Sequence, residues 1–274
     1  MPSYRELRRV VSACLAVLLL TGMVIAGAAL AAVWPENSGE RIIRVGNLTV
    51  DASHADQGYI MARAKAYSKK LKVRISQGDE TYTYDLNNKG EYEVFPLQMG
   101  SGSYRITLYQ NVSSNRYSKE SEGSFSVSLS EEYAAFLCPN QYVNYTQDSP
   151  AVKMSMELCA NLTTDAQKVE AVQDFMTHGF AYDYVRAITG PGAYLGDIDG
   201  CFEKRMGLCQ DFAAVAACML RAQGIPTQLV IGYADDNYHA WNNVLIDGEY
   251  QRLDVTAVLS GFSKNVVYTA ERYY

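Results

Sequence analysis

Between about residues 41 and 129 apolar and polar positions alternate in short runs, and from residue 130 the spacing lengthens to that of helices. The runs at 71–75, 81–85, 92–95, 104–109 and 124–129 repeat with the period of a strand that buries one face. Turn signals such as Asn87-Asn-Lys-Gly90 and Gly100-Ser-Gly102 separate them. Short strands at this spacing predict a small antiparallel β-sandwich of immunoglobulin-like type over residues 41–129. Nothing in it suggests chemistry. Its histidine, His54, reads as a loop residue, and the region as a spacer or packing domain.

Beyond it the pattern predicts a short helix over 131–136 that stops before Pro139, and a second over 150–162. Thr164 caps a third, with Val169, Val172, Phe175 and Met176 at helical spacing. His178 lies at its end, where a cation suits the helix dipole. Residues 193–200 read as a loop able to border a cleft. The firmest helix comes next. Phe212, Val215, Ala216, Met219 and Leu220 follow the spacing of a core-packed face, and Gly224 with Pro226 ends it. Gly207, just before its start, allows backbone angles that other residues avoid.

Three strands are expected after that helix. Residues 227–233 form one, 234–237 a polar loop, and 239–246 and 249–255 a pair around Asp247-Gly248. Asp-Gly between such runs signals a two-residue hairpin turn. If Ile246 pairs with Glu249, His239 faces Thr256 and Trp241 faces Asp254, all on one sheet face. His239 and Asp254 then sit on a diagonal with Cα atoms roughly 7–8 Å apart, within reach of a carboxylate–imidazole hydrogen bond.

This placement assembles candidate chemistry. Cys209 falls at the first turn of a buried helix, where unpaired N–H groups favour a thiolate. His239 supplies a base, and Asp254 orients it, in the manner of a nucleophile–base–acid triad. Asp211, in the first helical turn, is expected to satisfy helix N–H groups instead of acting as a base. The segments Gly207-Leu-Cys-Gln-Asp-Phe-Ala213, His239-Ala-Trp241 and Leu253-Asp-Val-Thr256 resemble those of the transglutaminase-like superfamily, over roughly residues 131–274. Tyr250 stands where many relatives carry Trp, and Val255 where many carry Pro after the aspartate. The resemblance implies a papain-like core, hence an α+β chain, with Cys209, His239 and Asp254 as the triad and Trp241 in support. Ala181-Tyr-Asp-Tyr184 resembles the family's segment ahead of the nucleophile; Tyr182 is either a second oxyanion donor beside the Cys209 N–H or a structural tyrosine.

Charge and cysteine usage narrow the setting. A formal net charge of −6 offers no basic face for nucleic acid. Arg5, Arg8 and Arg9 precede an uncharged stretch from Val10 to Trp34. Residues 1–34 are therefore either a signal peptide cleaved after Ala29-Leu-Ala31 or an uncleaved membrane anchor through 10–34, and both put the remainder outside the cytoplasm. Cys14 precedes the apolar centre, which is wrong for a lipoprotein signal. Cys138, Cys159, Cys201, Cys209 and Cys218 then make an odd number outside the cell, so one free thiol is expected, with Cys209 the natural one and Cys218 in the core. Cys201 and Cys209 lack zinc-site spacing, and no metal or cofactor is called for.

The expected reaction is thiolate attack on an amide carbonyl through a thioester, ending in hydrolysis or in transfer to an amine, on proteins or peptides of the cell surface or wall. The competing reading is a catalytically inert adhesion or scaffold protein that keeps the fold.

Overall fold

The alternating half folds as its pattern dictates. In the computed structural model, which describes residues 31–65, 67–190, 194–261 and 265–274, its strands are β1 (Ile42–Val45), β2 (Leu48–Asp51), β3 (Tyr59–Ala64), β4 (Leu71–Gln77), β5 (Glu80–Leu86), β6 (Glu93–Pro96), β7 (Gly102–Ser113) and β8 (Arg116–Val127). They form two antiparallel sheets, in the orders β1-β2-β3-β6 and β5-β4-β7-β8. With β1 set aside, β2-β3-β6 and β5-β4-β7-β8 correspond to strands A-B-E and C′-C-F-G of an immunoglobulin-type sandwich. Leu71, Val73 and Ile75 of β4 are buried while Arg74 points out. Tyr104, at the start of β7, is fully buried, and its hydroxyl donates at 2.8 Å to Gly100 O and 3.0 Å to Leu97 O. That is the tyrosine corner of such sandwiches. The alternating runs did not reveal β1, β2 or β3. The first two are only four residues long, and β3 buries Tyr59, Ile60, Ala62 and Ala64, which leaves little alternation to read.

The second half consists of α1 (Pro150–Cys159), α2 (Asp165–Gly179), β9 (Ala181–Tyr182), α3 (Tyr184–Thr189), α4 (Ile198–Lys204), β10 (Met206–Gly207), α5 (Cys209–Arg221), β11 (Thr227–Ala234), β12 (Asn237–Ile246), β13 (Glu249–Leu253), α6 (Val255–Ser260) and β14 (Tyr268–Tyr273). The long strands make an antiparallel sheet ordered β13-β12-β11-β14. Helix α5 packs against β11 and β12 on one side and α1, α2 and α4 on the other. Its residues from Phe212 to Arg221 are all buried, Ala213 being the most exposed at 3%.

Several local expectations give way. Residues 131–136 yield a 3₁₀ turn (Ala134–Leu137) in place of a helix, with Pro139 close behind. Helices α3 and α4 occupy stretches without a helical repeat; their starts are fixed by Asp183, accepting from Arg186 N at 2.9 Å, and Asp197, accepting from Gly200 N at 3.0 Å. Thr164 forms a full capping box with Gln167 at the start of α2, as its position suggests. The loop placed at 234–237 tightens to a turn in which Asp235 takes φ 52°.

Residues 31–274 form one compact unit, and an aromatic seam joins its parts. Tyr274 stacks on Tyr142 at 3.6 Å between ring centroids and lies edge-on to Tyr82 and Tyr84 of β5 at 5.6 and 6.3 Å. Arg221, fully buried at the end of α5, donates to Thr227 O (2.7 and 2.9 Å), Cys138 O (2.5 Å) and Tyr274 O (2.7 Å). Four donated bonds to carbonyls are what make that burial tolerable. No described helix is long and apolar enough to cross a membrane. The stretch 10–34 lies outside the described residues except for its last four.

Candidate active site

The start of α5 is held open by its neighbours. Leu208 is extended (φ −108°, ψ 178°), so Cys209 is the first helical residue. Asp211, fully buried one turn on, accepts from Leu208 N (2.9 Å), Asp197 N (3.1 Å), Arg186 Nη1 (2.6 Å) and the Tyr194 hydroxyl (3.3 Å). It caps the helix, as the sequence implied, and also ties α3 and the segment ahead of α4 to the nucleophile's turn. Gly207 does not owe its place to an unusual backbone angle. A Cβ there would lie 2.8 Å from Cys201 Sγ and 2.9 Å from Asp211 Cβ, so what this position demands is space.

His239 arrives from the sheet. Asp247 (φ 51°) and Gly248 (φ 83°) form the tight turn, and β12 pairs with β13 from Ile246↔Glu249 to Asn242↔Leu253, the register that the turn implied. The strand then stops short of its expected end at 255. Asp254 becomes the N-cap of α6, its Oδ1 accepting from Ala257 N at 2.9 Å, so Thr256 turns into the helix and does not face His239. A short acidic side chain before a helical turn prefers the cap to another strand residue. The other oxygen, Oδ2, lies 2.8 Å from His239 Nε2.

His239, only 4% exposed, also hydrogen-bonds Cys209 through its side chain. Since Nε2 is engaged by Asp254, Nδ1 is the nitrogen left for the thiol. Burial works against a charged ring, but the hydrogen bonds and charges of Asp254 and Cys209 outweigh it and raise His239 to about 9. Asp254 is shifted the opposite way. Burial alone would raise it, but His239, the Ala257 amide and Tyr268 hold it below its ordinary value.

The flanking side chains are aromatic. Trp241 is buried and stacks on His239, with centroids 6.1 Å apart and planes at 19°. Tyr182 pairs with Gly207 across β9 and β10, and its half-buried ring lies 5.0 Å from Tyr184 and 6.4 Å from Phe212. Burial first, and then the charge of Cys209, raise the Tyr182 phenol above its ordinary value. Tyr268 donates to Asp254 Oδ2 at 2.8 Å, a contact with no sequence signal beyond an aromatic in a terminal strand.

The five described cysteines are all free thiols, which corrects the expectation of one. Cys138 follows the 3₁₀ turn and Cys159, Cys201 and Cys218 lie on three different helices, all four buried. Burial pushes the Cys138 and Cys201 thiols up to about 12, and raises Cys159 and Cys218 as well. Cys209 alone among the five is partly exposed. No group of three His, Cys, Asp or Glu among the described residues is arranged to hold a metal ion.

Residues 152–255 match the family model of the transglutaminase-like superfamily, a span that starts within α1 and takes in Cys209, His239 and Asp254. The chain carries a transglutaminase-like domain. Its solved structural neighbours include a candidate cysteine protease from Cytophaga hutchinsonii, at 15% identity and TM-score 0.44, with 88% of this chain and 74% of that one covered. The periplasmic domain of TgpA from Pseudomonas aeruginosa aligns at 17% identity and TM-score 0.37, covering 83% and 77%. No curated protein sequence matches. The match to the superfamily model supports a thiol-based enzymatic role for the matched domain, which follows a β-sheet region in an α+β chain.

Proposed function

We propose that the protein is an acyl-transfer enzyme in which Cys209 is the nucleophile, His239 the acid–base and Asp254 its orienting partner. The observation that carries this reading is His239 held between the Cys209 thiol and Asp254 Oδ2, the latter at 2.8 Å. The reactive form is the one with the proton on His239, which is raised to about 9, and with Cys209 as the thiolate nucleophile. Cys209 Sγ attacks an amide carbonyl, and the developing oxyanion takes the Cys209 N–H and the Tyr182 hydroxyl as donors. The tetrahedral adduct collapses as His239 protonates the leaving amine, which gives a thioester. His239, now neutral, removes a proton from water or an incoming amine, whose attack on the thioester frees the thiolate. Water makes the enzyme a cysteine peptidase or amidase; an amine makes it a protein-crosslinking transferase.

The substrates are proteins or peptides at the cell surface or in the wall, reached from outside the cytoplasm by a chain that is secreted or anchored through residues 10–34. The basic residues Arg5, Arg8 and Arg9 ahead of that uncharged stretch support this orientation. One labelling experiment addresses both proposals. A membrane-impermeant maleimide added to intact cells should modify Cys209 quickly and leave Cys218 untouched in a mass-resolved time course. Equal rates for the two thiols dismiss the nucleophile, and labelling that requires lysis dismisses the outward topology. Intact mass of a glutamine peptide incubated with enzyme, with and without a primary amine, then separates hydrolysis from transfer. An unchanged peptide, together with sluggish labelling, would favour the inert scaffold.

A further inference from the structure

The carboxylate that holds His239 is itself held by a phenol. Asp254 Oδ2 receives two donors on one oxygen, His239 Nε2 and the Tyr268 hydroxyl, both at 2.8 Å. Tyr268 opens β14, where it pairs with Ala234, and its ring lies edge-on to Trp241 at 5.1 Å between centroids. The guanidinium of Arg252 sits 3.9 Å above the same ring. We propose that Tyr268 is a positioning residue of this site, fixing Asp254 and tempering its hold on the His239 imidazolium. The inference rests on the Cys209–His239–Asp254 reading and deepens it.

Two donors compete for a single oxygen. With Oδ1 occupied by the Ala257 amide, the carboxylate cannot rotate to give its two donors separate oxygens. Each donor on Oδ2 withdraws charge that the other would otherwise use. The phenol stays protonated throughout, since burial and the adjacent Asp254 raise Tyr268 to about 12. Arg252 over the ring adds positive potential, which makes the hydroxyl a better donor. Tyr268 therefore keeps the imidazolium acidic enough to surrender its proton to a leaving amine, where a singly bonded carboxylate would grip it harder.

Tyr268→Phe keeps the ring against Trp241 and removes only the donor. The chain has three histidines, so ring titration by NMR resolves His239 with His54 and His178 as internal references. In Tyr268→Phe the His239 midpoint should rise by roughly half a unit to one unit. The alkaline limb of kcat/KM should rise with it, while the rate at pH 7 falls about 3–10-fold as the acid weakens. A midpoint that stays put or moves down overturns the proposal. Arg252→Gln retains the hydroxyl and should move the midpoint the same way by less; a downward move there also counts against it. Titration needs no turnover, so the two readings fail separately. Activity surviving in Cys209→Ala would remove the nucleophile yet leave the titration test intact, and an unmoved His239 would remove Tyr268 yet leave the triad.

Discussion

Asp254 divides its oxygens between two tasks, and substitution there tests them apart. Oδ1 caps α6 through the Ala257 amide and Oδ2 faces His239. Asn caps nearly as well as Asp, so Asp254→Asn should fold. Its single oxygen then serves the cap, its amide N–H groups face His239, and the imidazole is driven to the other tautomer. We expect kcat/KM to fall by about 10²–10³. Asp247→Asn should be nearly silent, because Asn-Gly suits the same turn; equal losses in the two variants would mean that the assignment is wrong. The pair also shapes stability. His239 is raised from 6.5 to about 9, so its contribution is complete below about pH 6.5 and is lost as pH rises through 9. Asp254 is lowered from 3.8, so its contribution is present above that value and is lost as pH falls through the folded one. The gap in melting temperature between parent and Asp254→Asn should thus be widest from about pH 4 to 6.5.

At the level of elements, what could be read in advance was whatever repeats. Helix α5 announces itself by five apolar positions at helical spacing, and the β12–β13 register follows from a two-residue turn. Helices α3 and α4 span six and seven residues with little repeat to read, and their starts rest on single aspartates. The strand-to-helix switch at Asp254 was equally hidden, because an aspartate at the end of a strand-like run reads as well in a strand as in a cap. Tyr268 belongs to none of the motifs and is brought to Asp254 by the sheet pairing of β14 with β11. Gly207 gives the element-scale prediction. Gly207→Ala pushes a methyl to 2.8 Å from Cys201 Sγ and 2.9 Å from Asp211 Cβ. Thermal unfolding should show a loss of about 1–3 kcal/mol, and activity should fall further than stability, since the displaced turn carries Cys209.

Across the whole molecule, the sandwich and the papain-like half do not close their surfaces separately. Tyr274 reaches from the last strand of one half onto Tyr82 and Tyr84 of the other, while Tyr142 covers its face. Arg221 binds carbonyls at Cys138, Thr227 and Tyr274, three points far apart in sequence. The sandwich cannot pull away without baring stacked rings, and the second half cannot loosen without stranding a buried guanidinium. Scanning calorimetry should therefore give a single transition whose measured enthalpy equals the van't Hoff value; two resolved peaks would mean independent halves. Arg221→Met should lower that one peak without splitting it. The same seam gives the sandwich a thermodynamic role that needs no ligand: ordering the candidate site and ordering the spacer ahead of it become one cooperative event, so a partly folded chain exposes no working thiol.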